Sequence, residues 1–154
     1  MARTKSEVLI TQSLIDRLVD QEQWPETRAA SIIMYRESLK RDVEWLLNTR
    51  QPVIPELEFY PATAASVLNY GLPDIHSFDG SAGKEQNVLT VALEKCIRTF
   101  EPRINQPRVF LTRTDLLSRS LKFHIEGQIK YENMDEEITF DTVLEMISGE
   151  YEVK

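Results

Sequence analysis

"TFEPRINQPRVF", Thr99 to Phe110, marks where the character of the chain changes. Upstream, "NVLTVALEKCIRTF" places Leu89, Leu93, Cys96 and Phe100 at helical spacing, with Val88, Ala92 and Ile97 widening the apolar face. Downstream, "PRVFLT" is a strand candidate, and "SLKFHIEGQIKYE" alternates strictly. Leu121, Phe123, Ile125, Ile129 and Tyr131 fall on one side, and Lys122, His124, Glu126, Gln128, Lys130 and Glu132 on the other. Pro102 ends the helix, since it has no N–H to donate and its ring clashes with the preceding turn. A carboxylate and a guanidinium therefore flank a rigid corner. Either Glu101 and Arg103 pair with each other and pin that corner, or the corner presents them to another protein, where a planar guanidinium can make bidentate contacts.

The remaining helices lie on the N-terminal side. "SIIMYRESLKRDVEWLLNTR" steps Ile32, Tyr35, Leu39, Val43 and Leu46 along one stripe, and "SEVLITQSLIDRLVDQ" predicts a shorter helix interrupted around Thr11 to Ser13. Residues 51–87 are irregular and hold Pro52, Pro55, Pro61 and Pro73. There "ATAASVLNYG" predicts a short helix or turn with Gly71 as a left-handed cap, and "DGSAGK" an exposed loop. On the C-terminal side "NMDEE" reads as a turn, "ITFDTV" as a returning strand with Ile138 and Phe140 inward, and "GEYEVK" as an edge strand or a free tail. Helices first and strands afterwards predict an α+β fold, with N-terminal helices packed on a C-terminal, mainly antiparallel sheet. The expected organisation is a short helical region at 1–20 leading into one α+β domain at 21–154.

A chain of 154 residues can bury a sizeable core, about two-thirds of its unfolded surface. No apolar run approaches the roughly 20 residues that span a bilayer, and the first residues lack a signal peptide's apolar stretch, so the expected compartment is the cytoplasm, without membrane insertion. The lone Cys96 fits that compartment and reads as core. Net charge is −7. Residues 132–154 carry eight carboxylates and one lysine, while residues 1–131 balance at seventeen of each sign, so the acidity belongs to the C-terminal end. Such an end repels phosphate backbones, and no basic stripe interleaved with aromatics offsets it, which argues against nucleic acid as a partner. It serves either as a solvated face or as a surface complementary to a basic partner.

Glycoside hydrolysis would need two carboxylates in contrasting environments, and Glu94 with Glu101, completed by Asp115 or Glu126, could supply them by spacing. Solvated side chains explain the same pattern among 25 acidic residues. His76 and His124 are the only histidines and have no thiol or second imidazole at ligand spacing, so no metal or cofactor is expected. "DGSAGK" lacks the full phosphate-loop spacing.

Three motifs in register, "LLNTR" (Leu46–Arg50), "SVLNYGLPD" (Ser66–Asp74) and "FEPRI" (Phe100–Ile104), followed by a β-rich end, resemble TssE. This family comprises the small baseplate subunits of bacterial type VI secretion systems, similar to phage baseplate wedge proteins with an old lysozyme-like label. The resemblance implies a non-catalytic subunit in a hetero-oligomeric wedge beside TssF and TssG, with TssK attached, and sheet edges offered to the first sheath ring. It further implies that Glu101, Pro102 and Arg103 dock onto the wedge core. A peptidoglycan hydrolase, or the wedge protein of a phage tail or related contractile particle, are the alternative readings.

Overall fold

The computed structural model describes residues 9–19, 24–74, 83–115, 120–131, 134–145 and 148–154. Two compact units are present, Met1–Asp42 and Val43–Lys154. Helices α1 (Leu14–Val19), α2 (Arg28–Asn48), α3 (Pro61–Ala64) and α4 (Gly83–Phe100) precede strands β1 (Ile104–Asp115), β2 (Ser120–Tyr131), β3 (Met134–Glu145) and β4 (Glu150–Val153). The strands form one antiparallel sheet in the order β1-β2-β3-β4, so the fold is α+β, as the period change at Pro102 predicts. None of the described helices is long and apolar enough to cross a membrane.

In the first unit α1 is short, as the break in the apolar pattern around Thr11 to Ser13 predicts. Ser13 starts it: the Ser13 hydroxyl oxygen accepts the Asp16 N–H at 3.2 Å and donates to the Asp16 carboxylate at 2.6 Å, so the helix begins only at Leu14. Val8, the first residue of the expected stripe, lies outside the described residues, and no α1 residue is buried. Thr27 caps α2 in the same manner through the Ala30 N–H. Asp16 also receives the Arg41 guanidinium from α2. Burial alone would raise the Asp16 pKa, but hydrogen bonds from Arg41, Ser13 and Ser38 outweigh it and hold the carboxyl at about 2 instead of 3.8. The folded pKa is depressed, so the pair stabilises above about pH 4 and its contribution disappears as pH falls towards 2. Asp16→Asn should therefore cost about 1–2 kcal/mol at neutral pH, allowing for partial exposure, and almost nothing near pH 2; urea titrations at both pH values check it.

In the second unit, alternation puts Leu121, Phe123, Ile125 and Ile129 of β2 and Ile138, Phe140 and Leu144 of β3 on the buried face, as the period-two pattern requires. Leu89, Leu93, Cys96 and Ile97 of α4 and Val43, Leu46 and Leu47 of α2 are buried as well, and α4 packs on β1. The structure extends three sequence expectations. Asp135, Glu136 and Glu137 belong to β3 and not to a turn. Gly83 and Lys84 open α4 while Asp79 to Ala82 lie outside the described residues, and "GEYEVK" supplies β4.

Candidate functional site

The Glu-Pro-Arg corner is a closed turn. The Glu101 carbonyl accepts the Ile104 N–H at 3.1 Å, which sets Pro102 at the second position of a four-residue turn, where its fixed φ is pre-organised. The Glu101 carboxylate is buried, at 7% side-chain exposure. Its Oε1 accepts the backbone N–H of Arg103 at 3.2 Å and Nε at 2.7 Å, and its Oε2 accepts Nη2 at 2.5 Å. The two guanidinium bonds, one to each carboxylate oxygen, make the fork geometry for which arginine is suited and lysine is not. Of the two roles left open by the sequence, the internal pair is therefore present. Pro102 is exposed at the tip, and the Arg103 side chain is 23% exposed.

A chain of contacts joins the three sequence motifs, the first to the second and the second to Phe100 beside this turn. Arg50 and Leu72 form a parallel bridge, in which Leu72 N–H donates to Thr49 O at 2.8 Å and Gln51 N–H to Leu72 O at 2.9 Å. Gly71 makes this approach possible: its φ is +109°, and a Cβ there would sit 2.4 Å from Thr49 O. Its carbonyl accepts the Cys96 Sγ–H at 3.3 Å, and burial pushes that thiol up to about 12, so Cys96 is core and not nucleophile. Tyr70 then stacks edge-on against Phe100, with centroids 5.4 Å apart, directly ahead of Glu101.

"LLNTR" has a second task that the sequence did not announce. The Asn48 side chain behaves as a short length of strand against β4: its Oδ1 accepts the Tyr151 N–H at 2.8 Å and its Nδ2 donates to Tyr151 O at 2.9 Å. Glu44 Oε2 accepts the Val153 N–H at 3.2 Å, and the Arg50 guanidinium donates to Gly149 O. The outer edge of β4 is thus met by side chains within the chain, and of the two readings of "GEYEVK" the edge strand is the one present. Tyr151 is buried, and that burial raises its phenol pKa, with Arg50 opposing. Asn48→Ala should destabilise the unit by about 1–2 kcal/mol, since water can reach part of the vacated edge. Faster amide exchange at Tyr151 and Val153 than in the wild type is the corresponding readout.

Three of the four carboxylates considered for hydrolysis have basic neighbours: Glu94 accepts from Arg98 at 2.5 Å, Glu101 from Arg103, and Glu126 lies 3.5 Å from His124. His124 sits on the exposed sheet face, with Nδ1 2.8 Å from Asp141 Oδ1, and His76 lies outside the described residues. Among the described residues no group of three or more histidine, cysteine, aspartate or glutamate side chains could hold a metal ion.

No curated protein matches the chain. Residues 34–134 match the family described as baseplate wedge protein gp25, a span that contains all three motifs, the Glu-Pro-Arg turn and most of the sheet. That is well over half of the sequence, and the chain accordingly belongs to the gp25 baseplate wedge family, whose role is structural.

Proposed function

We propose that this chain is a non-catalytic wedge subunit of a type VI secretion baseplate, which works in the cytoplasm, docks through Glu101, Pro102 and Arg103 onto TssF and TssG with TssK attached, and connects the wedge to the sheath. The observation that carries the reading is a chain of contacts that joins the three motifs and ends at one stiff corner. Gly71 locks against Thr49, Tyr70 against Phe100, and the ion pair holds Pro102 outward, so a partner would meet a surface that loses little entropy on binding. Docking and structural roles are not rivals in this arrangement, because the internal pair is what fixes the shape being docked. Co-expression with TssF and TssG followed by affinity capture tests the reading: the wild-type chain is recovered with both. Recovery with neither, or clearing of a peptidoglycan suspension that is lost on changing one carboxylate, would overturn it. Neighbouring genes distinguish a secretion system from a phage-like particle.

A further inference from the structure

The stretch from Gln51 to Tyr70 is a loop closed at its neck by the Arg50–Leu72 bridge, and it packs on itself. The 3-10 turns Leu57–Phe59 and Val67–Asn69 both lie against α3. Ser66 caps the second turn through the Leu68 N–H, and the Asn69 side chain donates to Ala64 O at 3.0 Å. None of the described residues 51–70 is buried. Instead Val53, Phe59, Tyr60, Val67 and Leu68 are each at least 60% exposed. Single apolar side chains on a surface are ordinary, whereas this many large ones on one closed loop, two pairs of them adjacent, mark a contact surface. The motif Ser66–Asp74 shows the division within itself: Gly71 and Leu72 are buried at the bridge, and Val67 and Leu68 stand in the open.

The loop is also stiff. Pro52, Pro55 and Pro61 each fix a φ angle, so the unbound chain has less freedom to lose when a partner engages it. Glu56 has φ +62°, a left-handed conformation that glycine or asparagine adopts at lower cost. Its carbonyl accepts the Phe59 N–H at 3.0 Å, so the strained residue opens the turn that carries Phe59 and sets a carboxylate beside the apolar surface. Strain of this kind collects where a side chain must be presented. Glu56 and Glu58 are the only charged residues between Gln51 and Tyr70.

We propose that this loop seats its exposed apolar side chains in an apolar cleft of another protein, and that the rim of the cleft carries a lysine or arginine that meets Glu56. Charge selects this occupant. Two copies of the chain meeting loop to loop would bring glutamates together with no cation among residues 51–70, and an anionic lipid surface would be repelled in the same way; a basic rim is complementary. The inference deepens the wedge reading by adding a contact to the Glu-Pro-Arg corner, and it rests on that reading only for which proteins supply the cleft.

The first arm of the test is capture of the full chain by TssF and TssG, as wild type, as Val67→Ser with Leu68→Ser, and as Glu56→Gly, with folding checked by circular dichroism. Recovery should fall at least about tenfold for the double variant, and by a smaller factor for Glu56→Gly, which keeps the turn accessible and removes the carboxylate. If the double variant does not fold, Phe59→Ser should show the loss. The second arm needs no partner. The wild-type chain is titrated with a short-chain alkylammonium and with the matching alkyl sulfate, both below micelle formation, and amide shifts of residues 53–68 should respond more strongly to the cation. Wild-type recovery of the folded loop variants, equal response to the two amphiphiles, response centred outside residues 53–68, or self-association in sedimentation that the double variant abolishes would overturn the proposal. A wild-type chain that TssF and TssG do not capture, but whose 53–68 amides prefer the cation, strikes the wedge reading alone; capture that survives the loop changes strikes this proposal alone.

Discussion

Gly71→Ala should be the most damaging single substitution in the second unit. Its φ of +109° lies where a side chain is strained in any surroundings, and the new Cβ would meet Thr49 O at 2.4 Å and Thr49 C at 2.7 Å, both main-chain atoms that cannot turn aside. Strain and overpacking each contribute about 1–3 kcal/mol, so a total of about 3–5 kcal/mol is expected. In a chain of this size that lowers the melting temperature by on the order of 10 °C. Because the clash falls on the Arg50–Leu72 bridge, Cys96 should also become reactive towards a thiol reagent under native conditions, whereas the wild-type thiol stays silent. A wild-type melting temperature in Gly71→Ala would mean that the bridge is not built as described.

Arg103→Met ranks second. It leaves the Glu101 carboxylate buried and stripped of its guanidinium, a situation that costs about 3–5 kcal/mol when both partners are fully enclosed. Partial exposure of Arg103 reduces the expectation to about 2–3 kcal/mol. Adding Glu101→Gln should recover part of the loss, since the buried charge is then gone; the two changes would be strongly non-additive in urea titrations. Additivity would indicate that the pair is solvated and does not fix the corner.

Much of this fold could be read from the sequence because two periodicities dominate it. The stripe from Leu39 to Leu46 and the alternation from Leu121 to Ile129 each leave one buried face, and Pro102 marks the change between them. Glu101 and Arg103 could be singled out, yet spacing alone could not reveal that they bond to each other, because that depends on the carbonyl-to-Ile104 closure of the turn. Asn48 was harder still. An asparagine in the last turn of a helix looks like an ordinary helix end, and its partner Tyr151 is over a hundred residues away. The short α1 was legible as well: the apolar pattern breaks around Thr11 to Ser13, and the Ser13 cap starts the helix just after that break.

On the proposed reading, the rigid corner at residues 101–103 is a docking element. The direct measurement is capture of TssF and TssG by wild-type, Pro102→Ala and Arg103→Met chains, at a temperature where circular dichroism shows each of them folded. Recovery with folded Arg103→Met should fall about tenfold or more, equivalent to about 1.4 kcal/mol of lost binding, with a smaller drop for Pro102→Ala. Wild-type recovery with a folded Arg103→Met chain would contradict the claim and leave the pair as an internal brace alone.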